Sequence, residues 1–209
     1  MIELYVSALI TFFVVIDPPG CAPIFASLTA GTDAKHRRMM ALRSVAIASG
    51  ILLFFALFGE DLLRALGVSL AAFRIAGGIM LFLIALEMVF ERRTERREKR
   101  ADEINATPEH DDISVFPMAI PMIAGPGSIA SIMLLMARSN GLDQSLVVLG
   151  ALAAILVLTL VALLTAGPLM RLLGHRIEAM ITRILGVILA ALAAQFVIDG
   201  ISVSFQINV

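Results

Sequence analysis

The sequence has few cysteines, histidines, tyrosines and tryptophans. Among 209 residues there are no tryptophans, one tyrosine, three histidines and a single cysteine, Cys21. A lone cysteine excludes a disulfide within the chain, and the scarcity of tyrosine and tryptophan leaves little for the aromatic belts that often flank membrane segments. The histidines, His36, His110 and His175, all fall in polar connections between apolar runs. No histidine is therefore placed to ligate haem inside an apolar run.

Positive charge is absent from the start of the chain, since the first lysine or arginine is Lys35. A cleavable signal peptide needs basic residues ahead of its apolar core, so we expect the first apolar run to be retained as a membrane helix. The sequence also lacks a phosphate-binding loop, an H-E-x-x-H motif and a Ser–His pair within its apolar runs. We therefore expect a protein that is not an enzyme, holds no cofactor or metal ion and binds no nucleic acid.

Apolar residues, in contrast, are abundant: 59% of the chain is hydrophobic and the mean hydropathy is +0.95. A soluble helical bundle is the alternative, but its surface must face water, whereas these runs are apolar on all faces. A bilayer core of roughly 30 Å needs about 20 apolar residues in a helix. Six runs meet or approach that length: 4–28, 40–58, 70–90, 115–137, 146–170 and 180–198. The sequence predicts an all-α, polytopic membrane protein with six transmembrane helices.

Lysine and arginine are concentrated in alternate connections between these runs. With Arg43 counted in the first, the first, third and fifth connections hold twelve of the sixteen lysines and arginines, whereas the second and fourth hold one each, Arg64 and Arg138. Basic residues stay on the cytoplasmic side of a membrane. We therefore expect the odd connections in the cytoplasm and both termini on the periplasmic or extracellular side.

The third connection, residues 91–113, is the only extended hydrophilic segment, and it separates residues 1–90 from residues 114–209. It is basic first and acidic afterwards. One interpretation is a patch that binds lipid headgroups or a partner. The other, which we prefer from sequence, is a solvated linker that fixes topology between two halves.

Two motifs occur in both halves in the same order. R-I-x-G-x-I begins at Arg74 and again at Arg183, and I-x-x-P-G begins at Ile16 and again at Ile123. A three-helix unit used twice enters the membrane from opposite faces, an arrangement common in secondary transporters. The repeat predicts two inverted three-helix halves, in which Arg74 and Arg183 share a structural task such as bonding carbonyls of broken helices.

Proline and glycine interrupt the first and fourth runs, deep inside the predicted membrane helices. We expect these motifs to unwind the backbone, and each break then starts a half-helix whose free N–H groups suit a carboxylate. The preceding carbonyls suit an ammonium group, so the pair of breaks fits a zwitterion; the alternative is a pair of kinks used only for packing. The candidate substrate-binding residues are Asp17, Pro19, Gly20, Cys21, Pro23, Gly125, Pro126, Gly127 and Ser128.

Asp17 is ionisable and lies deep in its run, a position where such residues are usually functional. One hypothesis is that it binds a proton, a sodium ion or the substrate ammonium. The other is that it caps the following half-helix by accepting hydrogen bonds from free N–H groups.

The motifs Asp17-Pro18-Pro19-Gly20 and Ala119-Ile120-Pro121 through Gly127 resemble those of the MarC family, inner-membrane proteins of bacteria and archaea that include the SnatA neutral amino-acid transporters. The resemblance covers essentially the whole chain. It implies transport of small neutral amino acids such as glycine or alanine across the bacterial inner membrane, coupled to an ion gradient, with both motifs at the substrate site. Cys21 departs from the asparagine that members often carry there.

Two other functions fit an apolar six-helix chain. A membrane scaffold would use the broken helices for packing and the basic linker to recruit partners, and a passive pore would conduct without coupling. Deep, paired breaks favour the secondary transporter, because a scaffold does not need them. Small-residue helix faces allow homo-oligomers without requiring them.

Overall fold

The structure, a computed structural model, describes residues 1–105 and 112–205, without the side chains of residues 104–105 and 169–178. These residues form helices and short connections, and no strand occurs among them. The helices are α1 (Ile2–Ile16), α2 (Pro18–Leu28), α3 (Ala34–Ala65), α4 (Leu70–Val89), α5 (Arg92–Asn105), α6 (Pro126–Ala137), α7 (Leu142–Leu164) and α8 (Ala166–Phe205). An irregular segment of wide π-type turns, Ser114–Ile123, precedes α6 and is extended at Phe116 and Ile120.

Five stretches are long and apolar enough to cross a membrane: α1 with α2, α3, α4, α7 and the Ala179–Phe205 part of α8. The irregular segment and α6 make a sixth if the pair crosses as one span, bent by 52°. The predicted all-α polytopic fold is therefore confirmed. The inverted relation between the two halves stays a prediction.

The first break is shorter than the sequence predicted. Asp17 alone leaves the helical conformation, with φ 59° and ψ 65°, and α2 begins at the next residue. Pro18 and Pro19 occupy the first turn of α2. Backbone N–H groups in a first turn have no acceptor within the helix, so their absence costs nothing, and the fixed φ of proline suits the helix. The two prolines therefore start a helix here, and the expected unwinding is wrong in extent although right in position.

The second break changes the chain direction. The irregular segment ends at Ile123, Gly125 is extended, and Pro126 opens α6. Pro117 and Pro121 lie inside the irregular segment and leave it without two of the N–H groups that a regular helix would use. The fourth predicted run is thus two pieces joined at Ala124 and Gly125.

Helices α4 and α8 pack antiparallel through glycines. A methyl group on Gly78 of α4 would lie 2.9 Å from the Ala193 oxygen of α8, and one on Gly186 of α8 would lie 3.0 Å from the Ala85 oxygen of α4. Backbones approach this closely only where side chains are minimal. Glycine therefore sets the spacing of this helix pair.

The hydrophilic connection is more ordered than a solvated linker. Residues 92–105 form α5, which packs against α2 and α4 and buries Ala101. Residues 106–111, with His110, lie outside the described part of the chain, as does the side chain of His175. Residues 92–105 of the linker are therefore a helix that lies against α2 and α4, although most of its described side chains are exposed.

Candidate functional site

A cavity of about 320 Å³ lies where α4, α5, the irregular segment and the start of α6 meet. Its apolar wall includes residues of α4 and prolines of the irregular segment. Its polar wall is one face of α5. The residues of these two walls that matter below are Met80, Leu83, Ile84, Glu87, Arg93, Arg96, Arg97 and Arg100. A small cavity with one apolar and one cationic wall can hold a small solute that carries a negative group.

The second predicted motif lines this cavity directly, because Gly125, Pro126, Gly127 and Ser128 are all in its wall. They form the first turn of α6, and no side chain caps that turn. The N–H groups of Gly127 and Ser128 have no partner within the helix, since the first bond of this turn runs from Ile129 to Gly125. An uncapped helix N-terminus therefore faces the cavity.

The first predicted motif lies behind the cavity wall. Asp17 is 2% exposed and caps α2: its Oδ1 accepts a hydrogen bond from the Gly20 N–H at 3.1 Å. Its Oδ2 accepts one from Nη1 of Arg97 at 2.9 Å. Gly20 must lack a side chain, because a methyl group there would overlap the Asp17 carboxylate. The capping hypothesis for Asp17 thus describes its geometry, and Arg97 stands between Asp17 and the cavity.

The remaining residues of the first motif pack in the protein interior rather than on the cavity. Cys21 and Pro23 are buried and Pro19 is partly buried, and none of them lines the cavity. The Cys21 Sγ lies 3.4 Å from the Ile16 oxygen, to which it donates. These residues shape the break, whereas the cavity itself is lined by the second motif, α5, α4 and the irregular segment.

Sequence reasoning missed the arginines of α5. Arg93, Arg97 and Arg100 recur at helical spacing, and Arg96 lies beside them, so all four share a face. The spacing of these arginines could have indicated a common helical face, but the segment was interpreted as a solvated linker because it is polar and lies between apolar runs. Their partners are distant in sequence and no local pattern indicates them.

These four arginines carry more positive charge than the described carboxylates around the cavity neutralise. Arg97 pairs with Asp17 and Arg96 with Glu87. Arg93 instead donates to the Val15 oxygen at 2.7 Å and to the Met88 sulfur, both uncharged. The Arg100 guanidinium lies 5.9 Å from the centre of the Phe116 ring.

This surplus remains at neutral pH. Burial and the nearby Arg97 charge lower the pKa of Arg93 to about 10, so its guanidinium stays protonated. Among the described residues around the cavity, four guanidinium groups therefore face two carboxylates. The electrostatics favour a ligand with a negative group.

Neither repeat-related arginine is bonded to a broken-helix carbonyl among the described residues, and the Nε of Arg74 is buried without a hydrogen-bond partner there. Arg183 pairs with Glu91 at 2.6 Å. Arg74 lies near Arg138, which pairs with Asp199. It is Arg93, on the linker helix, that bonds a carbonyl of the last turn of α1.

Comparison with known proteins finds relatives that are similar over nearly the whole chain and share one family name. The chain is 38% identical to the UPF0056 membrane protein MJ1677 of Methanocaldococcus jannaschii, over 96% of this chain and 97% of that protein. It is 33% identical to the UPF0056 membrane protein YvbG of Bacillus subtilis, over 99% and 98%, and 34% identical to the UPF0056 inner membrane protein YhgN of Escherichia coli, over 94% and 95%. No solved structure matches. The family profile described as "MarC family integral membrane protein" matches residues 2–205, and the chain belongs to this family.

Proposed function

We propose that the protein is a secondary transporter of small neutral amino acids, such as glycine or alanine, across the cytoplasmic membrane. The single observation that carries the proposal is the uncapped N-terminus of α6 in a cavity lined by arginines. A helix N-terminus stabilises a carboxylate through free N–H groups and its partial positive charge. The substrate carboxylate would bind the Gly127 and Ser128 N–H groups.

A comparison of the two half-helices supports this assignment. At α2 the corresponding site is filled by the protein's own carboxylate, Asp17. In the second motif Ala124 takes the place of Asp17, so α6 has no capping carboxylate at the position that Asp17 holds before α2. A solute carboxylate at α6 would occupy the position that Asp17 occupies at α2.

The size of the cavity agrees with a small solute. At about 320 Å³ it lies at the low end of ligand pockets, which range from roughly 300 to 1,000 Å³. Ile84 and Met122 offer apolar contact for a short side chain.

Asp17 is the coupling group in this proposal. If Arg97 turns toward the substrate carboxylate, the Asp17 carboxylate loses its partner while still buried. A buried, unpaired carboxylate is strongly unfavourable, so Asp17 would take up a proton, a sodium ion or the substrate ammonium. This exchange would link solute binding to an ion gradient, with α5 on the cytoplasmic side as the basic connections indicate.

The test is uptake of radiolabelled glycine and alanine into liposomes that hold the purified protein, with and without proton and sodium gradients. A methyl group on Gly127 would lie 2.6 Å from Cδ1 of Ile84 and intrude on the cavity, whereas one on Gly50 meets nothing within 4 Å. We expect saturable uptake, lost in Gly127→Ala and kept in Gly50→Ala. Both variants must show the same helical content and thermal stability as the parent within a few degrees.

The alternatives give different results in the same experiment. A passive pore would admit solute without saturation and would show no exchange of labelled for unlabelled amino acid. A scaffold would give no uptake of any small neutral amino acid from folded protein, and the proposal would then be abandoned.

A further inference from the structure

We propose that the outer rim of the cavity binds one anionic phospholipid, with its phosphate on Arg96 and Arg100 and an acyl chain along α4. This site does not depend on the transport proposal, because it uses the exposed edge of the cavity rather than the start of α6. Three features of the described residues carry it: an exposed apolar stripe, an exposed pair of arginines and unneutralised charge.

The apolar stripe is part of the cavity wall and also of the outer surface. Met80 and Leu83 of α4 line the cavity, yet they are 40% and 55% exposed. With Glu87 they follow helical spacing on one face, so the stripe ends at the polar end of α4. From Met80 to Glu87 is roughly 10 Å along the helix axis, at about 1.5 Å per residue. Lipid chains therefore border the cavity directly.

The polar end of the stripe presents exposed guanidinium groups. Arg96 is 61% exposed at its side chain, where it pairs with Glu87, and Arg100 is exposed beside Phe116. A guanidinium group binds phosphate oxygens through two parallel N–H donors. Arg96 has donors beyond the one that it gives to Glu87, and Arg100 has no carboxylate partner among the described residues.

The charge count explains why the lipid should be anionic. Around the cavity four guanidinium groups face two carboxylates, which leaves room for added negative charge. A phosphodiester with an uncharged headgroup, such as phosphatidylglycerol, supplies one negative charge, whereas phosphatidylcholine supplies none in net. Basic pockets between membrane helices on the cytoplasmic side suit anionic headgroups for this reason. A free phosphate would satisfy the arginines but would gain nothing from Met80 and Leu83.

The experiment compares two double variants of α5 with equal loss of charge. Arg96→Gln with Arg100→Gln alters the rim, whereas Arg92→Gln with Lys99→Gln alters exposed residues that do not line the cavity. Purified protein in detergent is titrated with phosphatidylglycerol or phosphatidylcholine of matched chains, and bound lipid is counted by native mass spectrometry. We expect the parent and the control to prefer phosphatidylglycerol, and the rim variant to bind it roughly tenfold more weakly or worse.

A second pair of variants tests the acyl chain without changing charge. Leu83→Gln should weaken phosphatidylglycerol binding, whereas Leu86→Gln, which alters an exposed leucine outside the cavity, should not. Equal losses in the rim and control variants would show diffuse attraction and overturn the site. Equal binding of both lipids, or displacement of the lipid by millimolar glycerol phosphate, would also overturn it, the latter in favour of a soluble anion. Uptake assays score the transport proposal separately, so either proposal can fail alone.

Discussion

Arg97→Gln should destabilise the protein by about 3 kcal/mol, because it removes the guanidinium group that is hydrogen-bonded to the buried Asp17 carboxylate. The two side chains are 12% and 3% exposed, so solvent screens the pair little. At 2.9 Å and an effective dielectric constant of about 20, the attraction is about 5 to 6 kcal/mol before desolvation is counted. Removing one partner of a buried pair costs about 3 to 5 kcal/mol. Asp17 keeps its hydrogen bond from the Gly20 N–H in this variant, so we expect a loss of stability at the low end of that range.

A double-mutant cycle separates the ion pair from other effects of the substitution. Asp17→Asn keeps a side-chain oxygen that can cap the Gly20 N–H and removes the negative charge. If the charges interact, the double variant Asp17→Asn with Arg97→Gln should be nearly as stable as Asp17→Asn alone. We expect a coupling energy of about 2 kcal/mol, since contacting residues reach about 0.5 to 3 kcal/mol.

The assay is reversible unfolding in mixed micelles with increasing dodecyl sulfate, followed by circular dichroism. Arg92→Gln is the control, because Arg92 is exposed on the same helix and should change stability by no more than about 0.5 kcal/mol. The reasoning is refuted if Arg97→Gln costs less than about 1 kcal/mol, or if the two single effects add within about 0.5 kcal/mol.

Two further predictions concern packing and pH. Gly78→Ala should lower the free energy of unfolding by about 1 to 3 kcal/mol in the same assay, because the added methyl group would press on the Ala193 oxygen of α8. Gly150→Ala is the control, since a methyl group there has no atom within 4 Å. This control should be neutral or stabilising by up to about 1 kcal/mol. Hydrogen bonds from Ser114 lower the pKa of Asp112 in the folded protein. The ionised carboxylate therefore stabilises the fold fully at pH values above the unfolded pKa of about 3.9. This stabilisation is lost as the pH falls through the lower pKa of the folded state. In a pH series of thermal melts, Asp112→Asn should remove that part of the acid sensitivity and leave the profile above pH 5 unchanged in shape.

Hydropathy predicted the apolar part of each helix better than the residue at which the helix begins. The third run was expected at 70–90, and α4 spans Leu70–Val89 with Ser69 as its cap. The second run was expected from residue 40, yet α3 begins at Ala34 after the cap residue Asp33. Charged residues extend that helix beyond its apolar part, and hydropathy reports only the apolar part. Local capping chemistry carries the missing information.

The position of both breaks was predictable, but their shapes were not. Proline disfavours a helical conformation at the preceding residue, which is what Asp17 shows. Whether two prolines unwind a helix or start a new one depends on the register of the first turn, and at α2 they start one. At the second break the extended residues Phe116 and Ile120 precede Pro117 and Pro121, so the irregular backbone begins well before the motif of residues 125–127 at which the break was expected.

The cationic wall of the cavity could not be assigned from sequence, because its bonds join distant residues. Arg97 and Asp17 are 80 positions apart, and Arg93 and Val15 are 78 apart. Composition alone describes α5 as a polar segment. A helical projection would have placed its arginines on one face, but it gives no partner for that face.

The site belongs to neither half of the chain alone. The first half provides a helix terminus that Asp17 already fills, and the second provides one that Ala124 leaves open. The linker then adds Arg97, which neutralises the filled terminus, and Arg93, which bonds the end of α1. Two related motifs therefore become chemically unequal, one closed and one able to receive a negative group. Because α5 contacts both the closed terminus and the cavity, the arginines of this one helix set the charge at both breaks.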